Sequence, residues 1–256
     1  MIRLHVSQPL GTGRTVAASV EQHRYLTGVM RLGVGDAVRL FNGRDGEWRA
    51  ELSAVGKRDS VLTVTGATRA QLASPDLELV LALIKRTPLE WAVEKATELG
   101  VRRIRLVTTR RTNSDHTNVS RLQAIATEAA EQCERLDVPE IVPPQPLERV
   151  LDTWPADRPL SFCDETLGRA GEVLSDGSQS LAPSGAMLDA GAGSGPGSGA
   201  VLIGPEGGFD PAETARLRAH PAVTAMSLGP RILRAETAVV AALSLWQVRC
   251  GDWPRS

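Results

Sequence analysis

The chain has 256 residues, of which 42% are hydrophobic and 23% charged, so it can bury a sizeable core and is not a disordered protein. No apolar run reaches the roughly 18 to 20 residues that a membrane helix needs, and residues 1–5 are too polar to begin a signal peptide, so we expect a soluble cytoplasmic protein. Its three cysteines, Cys133, Cys163 and Cys250, are too widely spaced for a disulfide framework or a zinc site, and we expect free thiols and no metal.

The net charge of −1 is unevenly distributed along the chain. Residues 1–72 contain ten Lys/Arg against six Asp/Glu, whereas the remainder contains nineteen against twenty-four. Nearly all of the cations are arginines, which grip phosphate bidentately and stack on bases. A biased genome composition would produce the same arginine excess, so the basic front indicates nucleic acid as a partner without establishing it.

The front third of the chain has the pattern of a small β-barrel. Short alternating runs bounded by turn residues predict strands at residues 2–6, 37–41, 48–55 and 61–65. One helix is predicted between them, over residues 20–32, because Ser19 and Gln22 have capping-box spacing and glycines at 33 and 35 can end it.

After residue 73 the pattern changes to alternating strands and helices, which predicts a domain boundary and a mostly parallel, doubly wound α/β sheet. A helix is predicted to begin with Thr87 as its cap and Pro88 as its first residue. The other predicted helices cover residues 119–136, 211–219 and 236–249, and the predicted strands cover residues 77–84, 104–107, 160–163, 201–203 and 224–228. Residues 175–200 contain seven glycines and six serines, which predicts a flexible loop inside the second domain.

Two strand-to-helix loops carry the candidate chemistry. The first, at residues 202–209, combines three glycines and a proline with Glu206, and glycine lets the backbone approach a ligand closely. In the second, at residues 228–238, Arg234 and Glu236 lie where a helix begins. The first loop could be only a tight connection between a strand and a helix, but three glycines with a lone carboxylate are more than such a connection requires. Glu236 could be only an acidic residue of the first helical turn that complements the helix dipole. Ligands of parallel sheets bind at the carboxyl ends of strands, which favours a binding site built from both loops.

Three motifs support a family resemblance: Gly-Pro-Glu-Gly-Gly at residues 204–208, Leu-Gly-Pro-Arg-Ile-Leu-Arg-Ala-Glu-Thr-Ala at residues 228–238, and Lys-Ala-Thr-Glu-Leu-Gly-Val at residues 95–101. Together they resemble the bacterial 16S rRNA uracil-N3 methyltransferases of the SPOUT superfamily, and the resemblance spans nearly the whole chain. It implies a PUA-like, RNA-binding β-barrel over residues 1–73. Over residues 74–256 it implies a SPOUT α/β domain whose C-terminal part forms a deep trefoil knot and mediates a homodimer.

The resemblance further implies that S-adenosylmethionine lies bent in the knot, held by the two loops. Close backbone groups and apolar walls suit such a ligand, and no metal is called for. The implied cofactor-binding residues are Leu202, Ile203, Gly204, Pro205, Glu206, Gly207, Gly208, Leu228, Gly229, Ile232, Leu233, Ala235 and Thr237. Where the family commonly has Thr-Glu-Arg-Ser, this chain has Thr-Arg-Arg-Thr at residues 109–112, so an arginine replaces the usual carboxylate.

Methylation at N3 of uracil requires removal of the imide proton and stabilisation of the charge that spreads onto O2 and O4. We expect Arg234 to stabilise this charge and either Glu206 or Glu236 to act as the base. The target uridine must be unpaired, because N3 belongs to the Watson–Crick edge. The expected partner is 16S rRNA in the small ribosomal subunit, and the expected RNA contacts are Arg3, Arg31, Asn42, Arg44, Lys85 and Arg111.

Two other functions remain open from the sequence. The chain could be an RNA-binding ribosome-assembly factor that keeps the fold without turnover, or a SPOUT methyltransferase that acts on tRNA. Intact cofactor loops beside a basic barrel favour the ribosomal RNA enzyme.

Overall fold

A computed structural model of the chain describes residues 1–112, 117–168 and 197–253. The chain divides into two compact units. The N-terminal unit comprises Met1–Ala73 with Thr127–Val138, and the C-terminal unit comprises Ser74–Ala126 with Pro139–Ser256. Residues 127–138, which the sequence pattern places in the second domain, cluster with the first unit in the structure. None of the helices that the structure describes is long and apolar enough to cross a membrane.

The strands of the N-terminal unit are β1 (Arg3–His5), β2 (Thr15–Ala17), β3 (Ala37–Phe41), β4 (Glu47–Val55) and β5 (Ser60–Arg69). They form one sheet in the order β1-β3-β4-β5-β2. The strand β1 pairs with β3 in parallel, and the other pairs are antiparallel. Inward-facing leucines and valines from all five strands form one buried cluster, as alternating strand patterns predict. The three-residue strand β2 was not predicted, because so short a run has no detectable alternation.

The predicted helix over residues 20–32 is shorter and less regular in the structure. Helix α1 (Val20–Arg24) begins with the predicted capping box at Ser19 and continues into a π-helical turn, Tyr25–Val29. The chain leaves this turn through Arg31, which has a φ of 56°, and not through a glycine. The left-handed conformation that ends the helix is therefore adopted by an arginine, for which it is uncommon.

Arg3 is buried, and its prediction as a phosphate contact is wrong. Its Nε donates to Glu47 Oε2 at 2.6 Å, and its Nη1 and Nη2 donate to the carbonyls of Ala130, Glu131 and Arg135 at 2.9–3.1 Å. Arg3 is only 6% exposed, and Glu47 is fully buried. The guanidinium thus binds the end of a helix and a buried carboxylate within the N-terminal unit.

Asn42 was also predicted to contact RNA, and the structure gives it a different task. Its side-chain oxygen accepts the backbone N–H groups of Arg44 and Asp45, and its Nδ2 donates to the Gln8 carbonyl and the Asp45 carboxylate. Asn42 is 9% exposed, so its amide holds the turn between β3 and β4 and has no capacity left for a ligand.

The strands of the C-terminal unit are β6 (Asp76–Ala82), β7 (Arg103–Thr108), β8 (Glu140–Pro146), β9 (Leu160–Cys163), β10 (Ser198–Ile203) and β11 (Val223–Met226). They form a six-stranded sheet in the order β11-β9-β10-β6-β7-β8, in which every neighbouring pair is parallel. This confirms the predicted parallel α/β sheet. Strand β8 was not predicted because it contains three prolines, but it lies at the edge of the sheet, where proline is tolerated.

Helices connect most of these strands, and three of them differ from the predicted bounds. The first begins at Arg86 and is preceded by Lys85 without a side-chain cap, so the predicted cap at Thr87 is wrong. The second ends at Gln132 and not at residue 136. The last helix, predicted over residues 236–249, is one residue longer at each end. The helix after β8 has only six residues and was not predicted. The helices are α2 (Arg86–Glu98), α3 (Val119–Gln132), α4 (Leu147–Asp152), α5 (Pro211–Ala219) and α6 (Ala235–Cys250).

The predicted flexible loop at residues 175–200 lies mostly outside the described residues, but its last three residues belong to β10. Ser198 donates to Asp76 Oδ2 at 2.7 Å, and Arg158 donates to the same carboxylate at 2.6 Å. The hydrogen bonds from Arg158 hold the pKa of Asp76 at about 2. The start of β10 is therefore fixed to β6 by an ionised carboxylate.

Candidate functional site

A cavity of about 630 Å³ opens at the carboxyl ends of four adjacent strands of the C-terminal unit. Lys85 follows β6, and the short segment 163–166 ends β9 and continues beyond it. Ile203 ends β10 and lining residues up to Phe209 follow it, and Met226 ends β11 and lining residues up to Ala238 follow it. Carboxyl ends of parallel strands meet at one edge of the sheet, which brings these segments together. The volume lies in the usual range for small-molecule sites, about 300–1,000 Å³.

The loop after β10 depends on glycine at two positions. A Cβ atom on Gly204 would lie 2.8 Å from the ring of Phe209, and one on Gly208 would lie 2.9 Å from Glu165 Oε1. Gly208 also has a φ of 68°, and its N–H donates to the Pro205 carbonyl at 2.9 Å. The loop therefore presents bare backbone, the ring of Pro205 and the exposed carboxylate of Glu206 to the cavity.

The loop after β11 brings the start of helix α6 to the cavity. Gly229 has a φ of 100°, which permits the sharp turn out of the strand. Arg234 is the residue before α6 and makes no side-chain capping bond, and Glu236 lies in the first turn of the helix. Within the part of the chain that the structure describes, Arg234, Glu206 and Glu236 form no ion pair. Their charges are thus available to a ligand in the cavity.

The end of β9 supplies a polar wall that was not predicted. Burial alone would raise the pKa of Asp164, but hydrogen bonds from Thr166 at 2.7 Å and Arg218 at 2.6 Å outweigh it and hold this pKa below its usual value. Burial raises the pKa of the Cys163 thiol to about 12. Asp164 therefore stays ionised at neutral pH, whereas Cys163 stays protonated and is a poor nucleophile.

The structure brings most of the predicted site residues together. All three candidate catalytic residues line the cavity, as do ten of the thirteen candidate cofactor residues. The exceptions are Leu202, which lies in the hydrophobic core, and Gly207 and Thr237, which are not among the lining residues. The residues after β9 were missed because they form no recognisable motif. The rule that ligands bind at the carboxyl ends of parallel strands would have indicated them, had the strand order been known.

The remaining candidate RNA contacts lie at different places. Arg31 and Arg44 are exposed on the N-terminal unit. Lys85 lines the cavity of the C-terminal unit. Arg111 donates through Nη1 to the carbonyl of Gly207 at 3.0 Å, so its contact is with the glycine loop. Contact of these four residues with RNA stays a prediction.

Two protein-family models match successive parts of the chain. A protein-family model described as an RNA methyltransferase domain matches residues 72–247, and one described as an RNA methyltransferase PUA domain matches residues 20–65. The ribosomal RNA small subunit methyltransferase E of Rickettsia conorii is 29% identical over 248 residues, which cover 96% of this chain and 94% of that protein. The protein of the same name from Synechocystis is 30% identical over 232 residues, which cover 90% of this chain and 72% of that protein.

Two solved structures resemble the whole chain. A ribosomal RNA small subunit methyltransferase E from Neisseria gonorrhoeae, bound to S-adenosyl methionine, has a TM-score of 0.81 at 25% identity and covers 99% of this chain and 100% of its own. A Legionella pneumophila protein solved with bound SAM has a TM-score of 0.80 at 26% identity and covers 98% of this chain and 99% of its own.

Proposed function

The chain belongs to the RNA methyltransferase family with a PUA domain, and from this premise we propose that it transfers a methyl group from S-adenosylmethionine to N3 of a uridine in 16S ribosomal RNA. The observation that carries this proposal is the cavity at the strand ends. It is lined by both of the glycine-containing loops on which the family resemblance rests. Relatives named for methylation of small-subunit ribosomal RNA, and a related structure with S-adenosyl methionine bound, support it.

The cavity suits S-adenosylmethionine in size, shape and charge. Gly204 and Gly208 leave backbone exposed where a side chain would clash, so a ligand can approach the peptide groups closely. Leu228 and Leu233 supply apolar walls, and Glu206 and Glu236 supply carboxylates that form no ion pair with the described residues. When it is bound, S-adenosylmethionine supplies a methyl group on a positively charged sulfur. Acidic side chains and peptide carbonyls are the groups that favour such a charge.

Arg234 is the residue that stabilises the developing negative charge on the uracil. Arg234 lines the cavity and directly precedes α6, and the dipole at the start of a helix also favours negative charge. A guanidinium offers several donors in a fixed plane, which matches the carbonyl oxygens of the base. Because no carboxylate of the described residues pairs with it, its charge is not neutralised in the absence of substrate.

Glu206 and Glu236 are the two candidates for the base that accepts the N3 proton. Both line the cavity, Glu206 from the glycine loop and Glu236 from the first turn of α6. A carboxylate within hydrogen-bond reach of the imide lowers the barrier by taking the proton as the methyl group is transferred. Substitution by glutamine keeps the shape of each side chain and removes its basicity, so it separates the two.

The chemical step is tested by single-turnover kinetics on 16S rRNA with detection of N3-methyluridine by nucleoside mass spectrometry. Arg234→Ala is expected to reduce the rate about a hundredfold to a thousandfold, with nearly normal affinity for cofactor and RNA. The variant that removes the base, either Glu206→Gln or Glu236→Gln, should show a comparable loss of the single-turnover rate. An undiminished rate in Arg234→Ala would refute its catalytic role, and a lowered melting temperature with lost cofactor binding would show a structural one.

The substrate is tested with a strain that lacks the gene. Loss of N3-methyluridine from 16S rRNA, with transfer RNA unchanged, is the expected result. Loss of a methylated uridine from transfer RNA would show that the enzyme acts there instead. Unchanged modification of both RNAs, together with cofactor binding by the purified protein, would favour a role in ribosome assembly.

The proposed assembly is a homodimer through α6 and a deep trefoil knot in the C-terminal unit. One side of α6 is buried, yet Leu245 and Val248 on the same helix are 38% and 53% exposed. A helix with apolar residues on both sides is typical of a buried position, which a second copy would supply. The sheet order, with β10 between β9 and β6 and β11 beyond β9, is compatible with a chain threaded through its own loop.

A further inference from the structure

We propose that Arg111 is a positioning residue that holds the Gly207–Gly208 peptide and so fixes the loop that lines the cavity. Its bearing on S-adenosylmethionine rests on the proposed function, whereas its bearing on the loop rests on the contacts of the C-terminal unit alone. The proposal replaces the prediction that Arg111 serves as an RNA phosphate contact.

The turn that carries Arg111 is closed by its own side chains. It follows β7, and the backbone N–H of Thr109 donates to Thr112 Oγ1 at 2.9 Å. The two threonine hydroxyls are also within hydrogen-bond distance, at 3.0 Å. Such a local network gives the turn a definite shape without help from a ligand. Arg111 is therefore attached to a turn of definite shape at the carboxyl end of β7.

Arg111 binds the glycine loop at one peptide unit. Its Nη1 donates to the Gly207 carbonyl at 3.0 Å, and the N–H of the same peptide, on Gly208, donates to the Pro205 carbonyl at 2.9 Å. Both polar ends of this peptide are thereby occupied. A Cβ atom on Gly207 would lie 3.7 Å from Arg111 Cβ and 3.8 Å from its Cδ, so the arginine stem also packs along the loop.

This peptide is the part of the loop that most needs an external constraint. It joins two glycines, which have more accessible backbone conformations than any other residue and lose the most entropy on ordering. Glu206 precedes it directly, and Pro205, Glu206 and Gly208 all line the cavity. Fixing the orientation of the peptide therefore fixes the direction in which Glu206 and the Gly208 backbone face the ligand. Arg111 supplies order that the glycines themselves cannot.

Arg110 provides a matched control from the same turn. Its backbone N–H donates to Glu213 Oε1 at 2.8 Å, a contact that survives any change of its side chain. Its guanidinium lies 3.3 Å from Asp210 Oδ1 at the start of α5. Replacing either Arg110 or Arg111 by methionine removes one positive charge from the same turn and keeps most of the aliphatic part of the side chain. Only the replacement at position 111 removes the donor to Gly207.

The experiment measures hydrogen exchange of the Gly208 amide in the cofactor-free protein and the Kd for S-adenosylmethionine by calorimetry. In Arg111→Met, exchange is expected to accelerate about tenfold and the Kd to rise about tenfold, a factor worth about 1.4 kcal/mol. That is slightly below the usual range for a hydrogen bond with one charged partner, because the contact between Arg111 and Gly207 is exposed to solvent. Arg111→Lys should recover part of both effects, and Arg110→Met should change each by less than about twofold.

Two results would overturn the role of Arg111. Wild-type exchange at Gly208 in Arg111→Met would show that the contact does not order the loop. Equal effects of Arg110→Met and Arg111→Met would show that charge, and not the contact, matters. If the wild-type protein bound no S-adenosylmethionine, the proposed function would fail, whereas the exchange measurement would still test Arg111. A shallower salt dependence of RNA binding in Arg111→Met, with normal exchange, would restore the phosphate-contact prediction.

Discussion

Replacing Arg3 by methionine is expected to destabilise the N-terminal unit by about 3 kcal/mol. Methionine keeps an apolar stem but removes the donors that Glu47 and three backbone carbonyls use. Burial raises the pKa of Glu47, and the hydrogen bond from Arg3 is the first of several contacts that reverse this and hold the pKa below its usual value. Without Arg3, a fully buried carboxylate loses its strongest partner.

The magnitude follows from what remains around Glu47. Removing one partner of a buried ion pair typically costs about 3–5 kcal/mol. The lower end applies here because Arg39 Nη1 lies 3.4 Å from the other carboxylate oxygen and Thr68 still donates to it at 2.8 Å. A loss of this size is a large part of the roughly 5–15 kcal/mol by which native proteins are stable.

Urea unfolding followed by tryptophan fluorescence measures this change, with Arg44→Met as a control on an exposed arginine of the same unit. The double variant Arg3→Met/Glu47→Met should be less destabilised than the sum of its two single variants, because no charge is left buried and unpaired. A loss below about 1 kcal/mol in Arg3→Met would refute this reasoning. A fully stable Arg3→Met protein with weakened RNA binding would show instead that Arg3 contacts phosphate.

Three further outcomes are expected. Gly204→Ala should raise the Kd for S-adenosylmethionine in calorimetry at least about tenfold, since its Cβ would lie 2.8 Å from an aromatic ring, whereas Gly207→Ala, with its nearest contact at 3.7 Å, should change it by less than about threefold. Asp76, with its pKa lowered to about 2, stabilises the fold above about pH 4, and this contribution is lost as the pH falls towards 2. Acid unfolding of Asp76→Asn should therefore be flatter over that window, and an unchanged acid limb would contradict the assignment. Leu245→Arg with Val248→Arg should convert a dimer into monomers in light scattering, and an unaltered mass would place the dimer contact elsewhere.

Elements with local signals could be predicted from the sequence. Helix α5 has the predicted bounds because Asp210 and Glu213 form a capping box and Pro211 occupies the first helical position. Strand β9 also has its predicted bounds, as a short apolar run between turn residues. In both cases the determining interactions lie within a few residues of each other, so the pattern contains them.

Elements that depend on distant parts of the chain could not be predicted in the same way. The prolines of β8 argue against a strand unless its edge position is known. Arg3 binds a helix end that is 127 residues away in the chain. Composition alone identifies Arg3 only as one of several cations in a basic domain. The burial of such a group is decided by tertiary contacts that no local pattern records.

The site shows the same division at the level of single residues. Gly204 and Gly207 belong to one glycine-rich motif, and the sequence does not distinguish their roles. In the structure, Gly204 faces the ring of Phe209 beside the cavity, whereas Gly207 contacts Arg111. Likewise, Asp164 reaches the cavity because β9 lies beside β10 in the sheet, although residues 163 and 203 are far apart in the chain. The motif identifies this loop as a binding loop because glycine lets its backbone approach a ligand closely. Which of its atoms face the ligand, and which side chains complete the wall, is determined by strand order and by the turns that neighbouring strands bring against the loop.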